Sequence, residues 1–470
     1  MSDYRRQHPL MILITFLNQL KSWLVPLLIW FLLQMQLGES TELNIGFFIV
    51  PLIFSVLAAI YSAFNWFFYR YNLSDDALNI KSGILIKKRR YIKRARIQTT
   101  NQEAGLILRI FNLTSLKVET AGSKQETEAY LAALKLAEAT RIQTYLSDQT
   151  KAEKTDEPDY KTVVALSFKV LLLAGVTSGG IGVIFSIVGV LFSQALAFIP
   201  EAWIERLYDS VLAMSVLIIV LIIMVVFIFS WGLSIIRYLI RFAFFKIETH
   251  EDEIIITRGL IVKRTFRLKA HRIQAISIIE GILREPFKLA TIECDVAGGS
   301  EYEPKFNVTL MPILKRHQID AFLTRLLPQY ALNFSLEPLP KRALKRYLFR
   351  SFIPYLLLLP LYLYEPLSLI ILFTVPIALY LGYLRYQNGG VYYDDICMVL
   401  RTRRLAKQTH IALKKHIQTI GFTQNPLQRY RTLATLNFTV LSTPSHQTFA
   451  LKDLDLSAIK SSQQWFQHSG

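Results

Sequence analysis

Cysteine is almost missing from this sequence: Cys294 and Cys397 are the only two in 470 residues. They fall in segments that read as different domains. No disulfide framework or paired metal-ligand spacing exists, and both thiols are expected to be reduced and cytosolic. Histidine is scattered: His8, His250, His271, His317, His410, His416, His446 and His468 form no HExxH, no acid-supported pair and no Cys/His cluster. His416 takes the slot that Arg96 and Arg272 fill in related segments, which favours a basic surface role over a ligand role. The pairs Gly298-Gly299 and Gly389-Gly390 lack the Lys-Ser/Thr of a phosphate loop and the spacing of a dinucleotide loop, so they read as turns. The expectation is a protein that is not an enzyme and uses no metal or cofactor. A cleavable leader is not expected either, because the first apolar stretch is interrupted by Asn18, Gln19 and Lys21 and no small-residue cleavage site follows.

Charge is missing too, but only in places. Hydrophobic residues make up 52% of the chain, against about 45–50% in ordinary soluble domains. The excess is packed into blocks nearly free of charge, as in lipid-facing segments. Six such blocks read as transmembrane helices in three hairpins: Ser22–Leu37, which can begin further back within residues 10–21, then Ile45–Tyr69, Val163–Phe198, Val211–Ile240, Ser351–Tyr364 and Leu367–Tyr383. The last two are separated by Glu365-Pro366, a tight turn. The alternative, buried helices of a large soluble protein, fits poorly, since such helices keep a polar face and Val211–Ile240 has none over most of its length.

The connections orient the chain. The loops within the pairs carry Glu39 and Glu42, then Glu201, Glu205 and Asp209 with a lone Arg206, then Glu365. The long segments between pairs hold nearly all the Lys and Arg and account for the net charge of +18. By the positive-inside rule both termini and all three large segments are cytoplasmic. Lys169 and Arg237 lie within span limits but near cytoplasmic ends, where snorkelling explains them. Gly175, Gly179, Gly180, Gly182 and Gly189 in the third span suggest close helix packing, with a hinge as the other reading. Nucleic acid is not an expected partner, because aromatic residues are not interleaved with the basic runs.

The large segments repeat. RARIQTTNQEAGLILRIFNLTSLKVET, AHRIQAISIIEGILREPFKLATIECDV and KKHIQTIGFTQNPLQRYRTLATLNFTV align without gaps, the second 176 and the third 320 residues after the first. Ile97-Gln98, Ile273-Gln274 and Ile417-Gln418 coincide, as do Leu113, Leu289 and Leu433, and Leu116, Ile292 and Leu436. Basic runs precede each: Lys87-Lys88-Arg89-Arg90, then Lys263-Arg264 with Arg267, then Arg401 with Arg403-Arg404. Short apolar runs broken by turn signals, such as Leu78 and Ile80 before Gly83, or Ile254–Ile256 before Gly259, predict short strands and tight turns. Helix-like stretches close each copy, at Glu126–Ala139, Lys315–Leu327 and Ser457–Phe466. Strands followed by one helix make a small α+β unit.

Ile-Gln followed by an Arg and a Leu-Ala-Thr, all after a hydrophobic hairpin, resembles the bacterial pleckstrin-homology (PH) domain membrane proteins of the YdbT-like type. The third copy carries it best, in Gln424-Asn425-Pro426-Leu427-Gln428-Arg429 and Leu433-Ala434-Thr435-Leu436. The second keeps Leu283 and Leu289-Ala290-Thr291 but has Arg284-Glu285 in place of Gln-Arg. The first keeps Arg109 but has Leu113-Thr114-Ser115. The resemblance implies a PH-like fold, a partly open β-barrel with a C-terminal helix. It also implies partnership with a shorter membrane protein carrying one hairpin and one such domain, and an association with protection against membrane-active antimicrobial peptides.

The resulting expectation is a multi-pass cell-membrane protein. Residues 10–69 form an amphipathic segment and hairpin 1, 70–147 PH-like domain 1, 148–162 a linker, 163–243 hairpin 2, and 244–329 domain 2. Residues 330–350 form a second linker, 351–385 hairpin 3 and 386–470 domain 3. The basic runs either fix topology or contact anionic membrane lipids, at about 1 kcal/mol per Lys or Arg near the surface. The leading function is a membrane scaffold; the rival is a lipid- or peptide-handling transporter formed by the spans.

Overall fold

The computed structural model describes residues 4–37, 46–74, 76–84, 86–94, 97–120, 129–146, 161–196, 216–250, 252–296, 307–330, 334–358, 372–442 and 446–467. The chain divides into two compact units. Unit 1 is Met1–Lys161 with Glu253–Thr257 and Ile261–Lys269; unit 2 is Thr162–Asp252, Arg258–Leu260 and Ala270–Gly470.

Where they are described, the hydrophobic blocks are mainly helical. In unit 1, Leu10–Leu37 packs on Gly46–Phe68, with the Trp23 and Phe54 rings 4.6 Å apart. In unit 2, Phe168–Val176 and Ile181–Leu196 pack on Val216–Phe242, and the Trp231 indole N–H donates to the Val176 carbonyl at 3.3 Å. Leu344–Leu357 packs on Val375–Asn388 so closely that a Cβ on Gly382 would stand 2.6 Å from the Ser351 hydroxyl. Among the described residues, Ile49–Phe68 and Val220–Phe242 are long and apolar enough to cross a membrane. The acidic residues of the intra-pair loops and the Glu365-Pro366 turn lie outside the described residues.

Three expectations need correcting. Residues 163–165, assigned to the third span, finish a strand, and the helix behind them breaks between Val176 and Ile181. The Gly179-Gly180 pair disfavours continued helix, and the Thr177 hydroxyl folds back onto the Leu173 carbonyl at 2.8 Å. Of the five glycines, Gly175 and Gly180 approach the neighbouring helix, whereas a Cβ on Gly179, Gly182 or Gly189 would meet open space. Finally, Glu126–Ala139 is not one helix: Ala129–Lys135 is a strand and the helix begins at Leu136. Ala129 and the run Leu131–Leu134 are buried there, and pairing with the strand Leu113–Thr120 outweighs the helical propensity of its Ala and Leu.

Each repeat supplies seven strands. The first has β1 (Arg5–Arg6), β2 (Arg70–Ser74), β3 (Ala77–Ser82), β4 (Lys88–Lys93), β5 (Ile97–Ala104), β6 (Leu113–Thr120) and β7 (Ala129–Lys135). The second has β8 (Lys161–Ala165), β9 (Lys246–His250), β10 (Glu253–Arg258), β11 (Lys263–Lys269), β12 (Ile273–Glu280), β13 (Leu289–Val296) and β14 (Asn307–Lys315). The third has β15 (Glu337–Pro338), β16 (Gly390–Tyr393), β17 (Cys397–Arg403), β18 (Lys407–Leu413), β19 (Ile417–Thr423), β20 (Leu433–Leu441) and β21 (His446–Asp455). A short lead-in strand before each helix pair (β1, β8, β15) joins the first strand after it (β2, β9, β16). Thus each helix pair is a long excursion between two neighbouring strands. The closing helices are Leu136–Leu146, Ile319–Leu326 and Leu456–Gln467.

The sheets run through the repeats rather than stopping with them. In unit 1, β5 pairs antiparallel with β11; in unit 2, β12 pairs antiparallel with β18. Gly83 and Gly259 turn the chain at φ +102° and +110°, a conformation that costs glycine little. A threefold feature uses no glycine. Asn112, Lys288 and Thr432 precede the buried Leu113, Leu289 and Leu433, all at φ between 50° and 54°. Each carbonyl accepts the N–H of the residue that starts the closing turn or helix: Leu136 at 3.4 Å, Arg316 at 2.8 Å and Leu456 at 3.1 Å. The signature apolar residues form the cores: Leu116, Ile292 and Leu436 are wholly buried, Ile273 and Ile417 are buried, and Ile97 packs against the unit 1 core. Each stabilises its domain by roughly 1.5–3 kcal/mol through burial.

Candidate functional site

Three joints bind a helix pair to a β-domain, built at equivalent positions from different chemistry. In the first, Leu108 sits buried with Met11, Leu113 and Ala133. Gln7, itself buried, accepts the Ala132 and Ala133 N–H groups at 2.7 and 3.2 Å. In the second, the position of Leu108 holds Arg284. Its guanidinium donates to the carbonyls of Pro312 at 2.9 Å and Ala174 at 3.0 Å, to the Tyr238 hydroxyl at 3.3 Å and to the Thr291 hydroxyl. Arg284 therefore ties Phe168–Val176 and Val216–Phe242 to β13 and β14.

In the third joint the same position is Gln428, whose amide donates to the Asp453 carboxylate at 2.8 Å. Asp453 is fully buried at φ +61°, and receives Arg346 Nε at 2.9 Å and an Arg350 guanidinium N–H. The Tyr347 hydroxyl donates to the adjoining Lys452 carbonyl at 2.8 Å. Losing one partner of such a buried set costs about 3–5 kcal/mol. The sequence signals for this joint are slight: an acid inside the apolar alternation of β21, and two arginines one helical turn apart at the start of Leu344–Leu357.

The basic residues do not form one equivalent patch. Lys87 precedes β4, while Lys88, Arg89 and Arg90 lie in it, with the first three exposed and Arg90 partly covered. A strand alternates faces, so the four do not converge as a turn would allow. Lys263 is exposed on β11, but Arg264 reaches Glu103 at 3.5 Å and Arg267 reaches Glu253 at 3.9 Å. The third run sits one strand earlier than the other two, on β17 and the turn after it, because the residues aligned with Lys263 and Arg264 are Lys407 and Gln408. Arg401 Nε donates to Thr409 at 3.1 Å, and burial pulls its pKa down. Arg403 grips Glu285 with two hydrogen bonds of 3.0 and 2.5 Å; Arg404 is exposed. Burial pushes the Glu285 carboxyl up, but the hydrogen bonds and charge of Arg403, with Lys407, outweigh it and hold the group below the usual carboxylate range. His416 is not the cation its alignment with Arg272 suggested: burial, then the Lys415 charge, lowers its pKa to about 4, so it is neutral at physiological pH. Of the signature glutamines, Gln274 is buried and Gln418 exposed, and Gln98 lies in β5.

Unit 2 also holds a cavity of about 810 Å³ lined by Arg350, Arg385, Arg403, Arg404, Lys452 and His410 among others, with Glu293 the single acid on its wall among the described residues. Burial alone lowers the His410 pKa to about 4, and its ring bonds Ser277 at 2.8 Å. The arginines are partly neutralised by Asp453 and Glu285 behind them.

A helix pair feeding a seven-stranded, helix-closed β-domain three times over matches a known pattern. The family model described as "Bacterial PH domain" matches residues 15–150, 179–329 and 350–469. The chain belongs to the bacterial PH-domain family. Each match begins inside or beside a helix pair and takes in the closing helix, the same unit that the three joints hold together. The chain is also 32% identical over 477 residues to the UPF0699 transmembrane protein YdbT of Bacillus subtilis (strain 168), covering 97% of this chain and 96% of that protein. The family unit is thus the helix pair with its β-domain, and this chain carries three.

Proposed function

We propose that this protein is an integral membrane scaffold, with six spans in three hairpins and its termini and PH-like domains on the cytoplasmic side. It assembles with a shorter relative carrying one PH-like domain and protects the membrane against membrane-active antimicrobial peptides. It has no enzymatic activity. The joints carry this reading: hydrogen bonds and ion pairs at Gln7, Arg284 and Asp453 fix each domain to its helix pair. Domains held so tightly suit a platform better than the rocking elements of alternating access. The relative named a transmembrane protein supports the location. The lack of charges deep in the hydrophobic blocks speaks against an ion-coupled path.

The test is a deletion strain challenged with membrane-active peptides. Wild type should restore resistance, and a membrane-inserted Asp453→Ala variant should restore it poorly. Equal sensitivity of the deletion and parent strains to every such peptide sinks the protective role. Cysteines placed at Ser40 and Ser300 check orientation in intact cells: labelling from outside at Ser40 alone agrees with it, and labelling at Ser300 alone reverses it.

The basic cavity supports a second reading, handling of an anionic lipid or peptide beside the third helix pair. Transport of either across liposomes by the purified protein would favour it.

A further inference from the structure

Two seams already inside this chain show how one PH-like repeat joins the next. At the first, Glu103 lies opposite Arg264 and Gln102 opposite Thr265. At the second, Glu280 lies opposite Lys407, Ile279 opposite Gln408 and Ile278 opposite Thr409. Translated through the repeat offsets of 176 and 144 residues read from the sequence, the two seams have the same register. The same strand type pairs with the same strand type, residue for residue. Each seam also carries an ion pair, Arg264–Glu103 at 3.5 Å and Lys407–Glu280 at 2.8 Å.

The repeat leaves one strand of each type at the ends. Among the described residues, β4 ends the sheet β1-β2-β3-β4, and β19 ends the sheet β19-β20-β21. Burial records the difference against the second seam. β12, covered by β18, is buried at every position but one; its equivalent β19 exposes Gln418, Thr419, Phe422 and Thr423. β18 is buried at all positions but one, whereas its equivalent β4 exposes Lys88, Arg89, Tyr91 and Lys93. A strand at the edge of a sheet is a template for another strand.

We infer that β19 of one molecule pairs antiparallel with β4 of a second copy of this chain, forming a third seam in the register of the two internal ones. Thr419 then faces Ile92, Phe422 faces Arg89, Thr423 faces Lys88 and Gln424 faces Lys87. Such head-to-tail contact is heterologous, so copies held in one membrane close into a ring or grow as an array. The third seam has Gln424 and Thr423 where the internal seams have Glu280 and Glu103. It lacks their ion pair and is the dissociable one of the three.

The test uses full-length protein in native membranes. One tagged copy carries Thr423→Cys and a differently tagged copy carries Lys88→Cys, each with Cys294 and Cys397 replaced by Ser. Opposed residues in such a pair stand about 4.5–5.5 Å apart, within reach of a disulfide. Mild oxidation should join the two tags, and Gly421→Pro in the first copy should abolish the product while leaving each protein in the membrane. Gln424→Glu, which restores the acid of the internal seams, should raise the dimer yield at fixed expression about two- to five-fold. Three results overturn the inference: no disulfide between the tags, a disulfide only within a single chain carrying both cysteines, or cross-linking of Thr423→Cys to a different protein alone.

Discussion

Arg284 and Gln428 occupy one position in successive repeats, and both turn buried side chains into the joint between a helix pair and its β-domain. Arg284 reaches out to the carbonyls of Ala174 and Pro312, while Gln428 reaches an acid, Asp453, that the helix-borne Arg346 and Arg350 also hold. The cation has moved from the β-domain in one repeat to the helix in the next. The geometry is kept and the direction of the bonds is reversed.

Arg284→Ala removes the guanidinium donors from the Ala174 and Pro312 carbonyls and from the Thr177, Tyr238 and Thr291 hydroxyls. It should destabilise unit 2 by about 2–4 kcal/mol, since each abandoned buried group costs about 1–3 kcal/mol. Thermal unfolding in detergent should show a lowered midpoint. Arg284→Gln, which imitates the third repeat, should recover part of the loss. Equal midpoints for wild type and Arg284→Ala would show that the joint contributes no stability.

Asp453→Ala leaves the Arg346 and Arg350 side chains without their acid, and should cost about 3–5 kcal/mol. Adding Arg346→Met and Arg350→Met should restore much of this, because an apolar replacement of a whole buried ionic set is tolerated better than half of one. A combined substitution as damaging as Asp453→Ala alone contradicts the pairing.

Much of this architecture is legible in the residues alone. The ungapped Ile-Gln and Leu signatures locate the strand cores, because a buried apolar position in a strand tolerates few residue types. The hydrophobic blocks locate the helix pairs. What stays hidden is long-range. Nothing local in β5 or β12 says that its neighbour is β11 or β18 of the following repeat. Asn112, Lys288 and Thr432 take a left-handed conformation without a glycine to announce it. The joints escape because the same position is apolar, cationic and amide in turn, so only superposed geometry reveals that Leu108, Arg284 and Gln428 share a task. The basic runs mislead for a related reason: Arg264, Arg267 and Arg403 look alike in sequence, yet each meets an acid, Glu103 and Glu253 on neighbouring strands and Glu285 in a turn.

Asp295 gives unit 2 an opposing pH dependence. Burial first, then the Glu293 charge, raises its pKa to about 7, although Ser442 lies 3.5 Å from one oxygen. A folded-state pKa above the unfolded value of about 3.9 means the folded protein holds the extra proton between about pH 4 and 7. Stability from this group therefore falls as pH rises through that window. Buried neutral His410 acts oppositely, losing stability as pH falls from about 6.5 towards 4. Asp295→Asn should raise the midpoint at pH 8 by more than at pH 5. A larger gain at pH 5 would contradict the assignment.

The exposed cations at the start of β4 give the last prediction. Lys87, Lys88 and Arg89 are exposed, and regular alternation sends Lys87 and Arg89 to one face and Lys88 to the other. If this segment meets anionic lipid, the attraction is about 1 kcal/mol per cation near the surface. That gives roughly 2–3 kcal/mol in all, fading beyond a Debye length of about 8 Å at physiological salt. Full-length protein in nanodiscs should then show hydrogen-exchange protection of residues 87–93 with anionic lipid at low salt. Protection should fall as salt rises, in neutral lipid, and in the Lys87→Gln, Lys88→Gln, Arg89→Gln variant. A strand pairing with a second copy also protects these residues, but that protection follows protein copy number per disc. Discs holding a single copy separate the two. Protection there that ignores both lipid charge and salt would leave these cations as determinants of topology and not as lipid contacts.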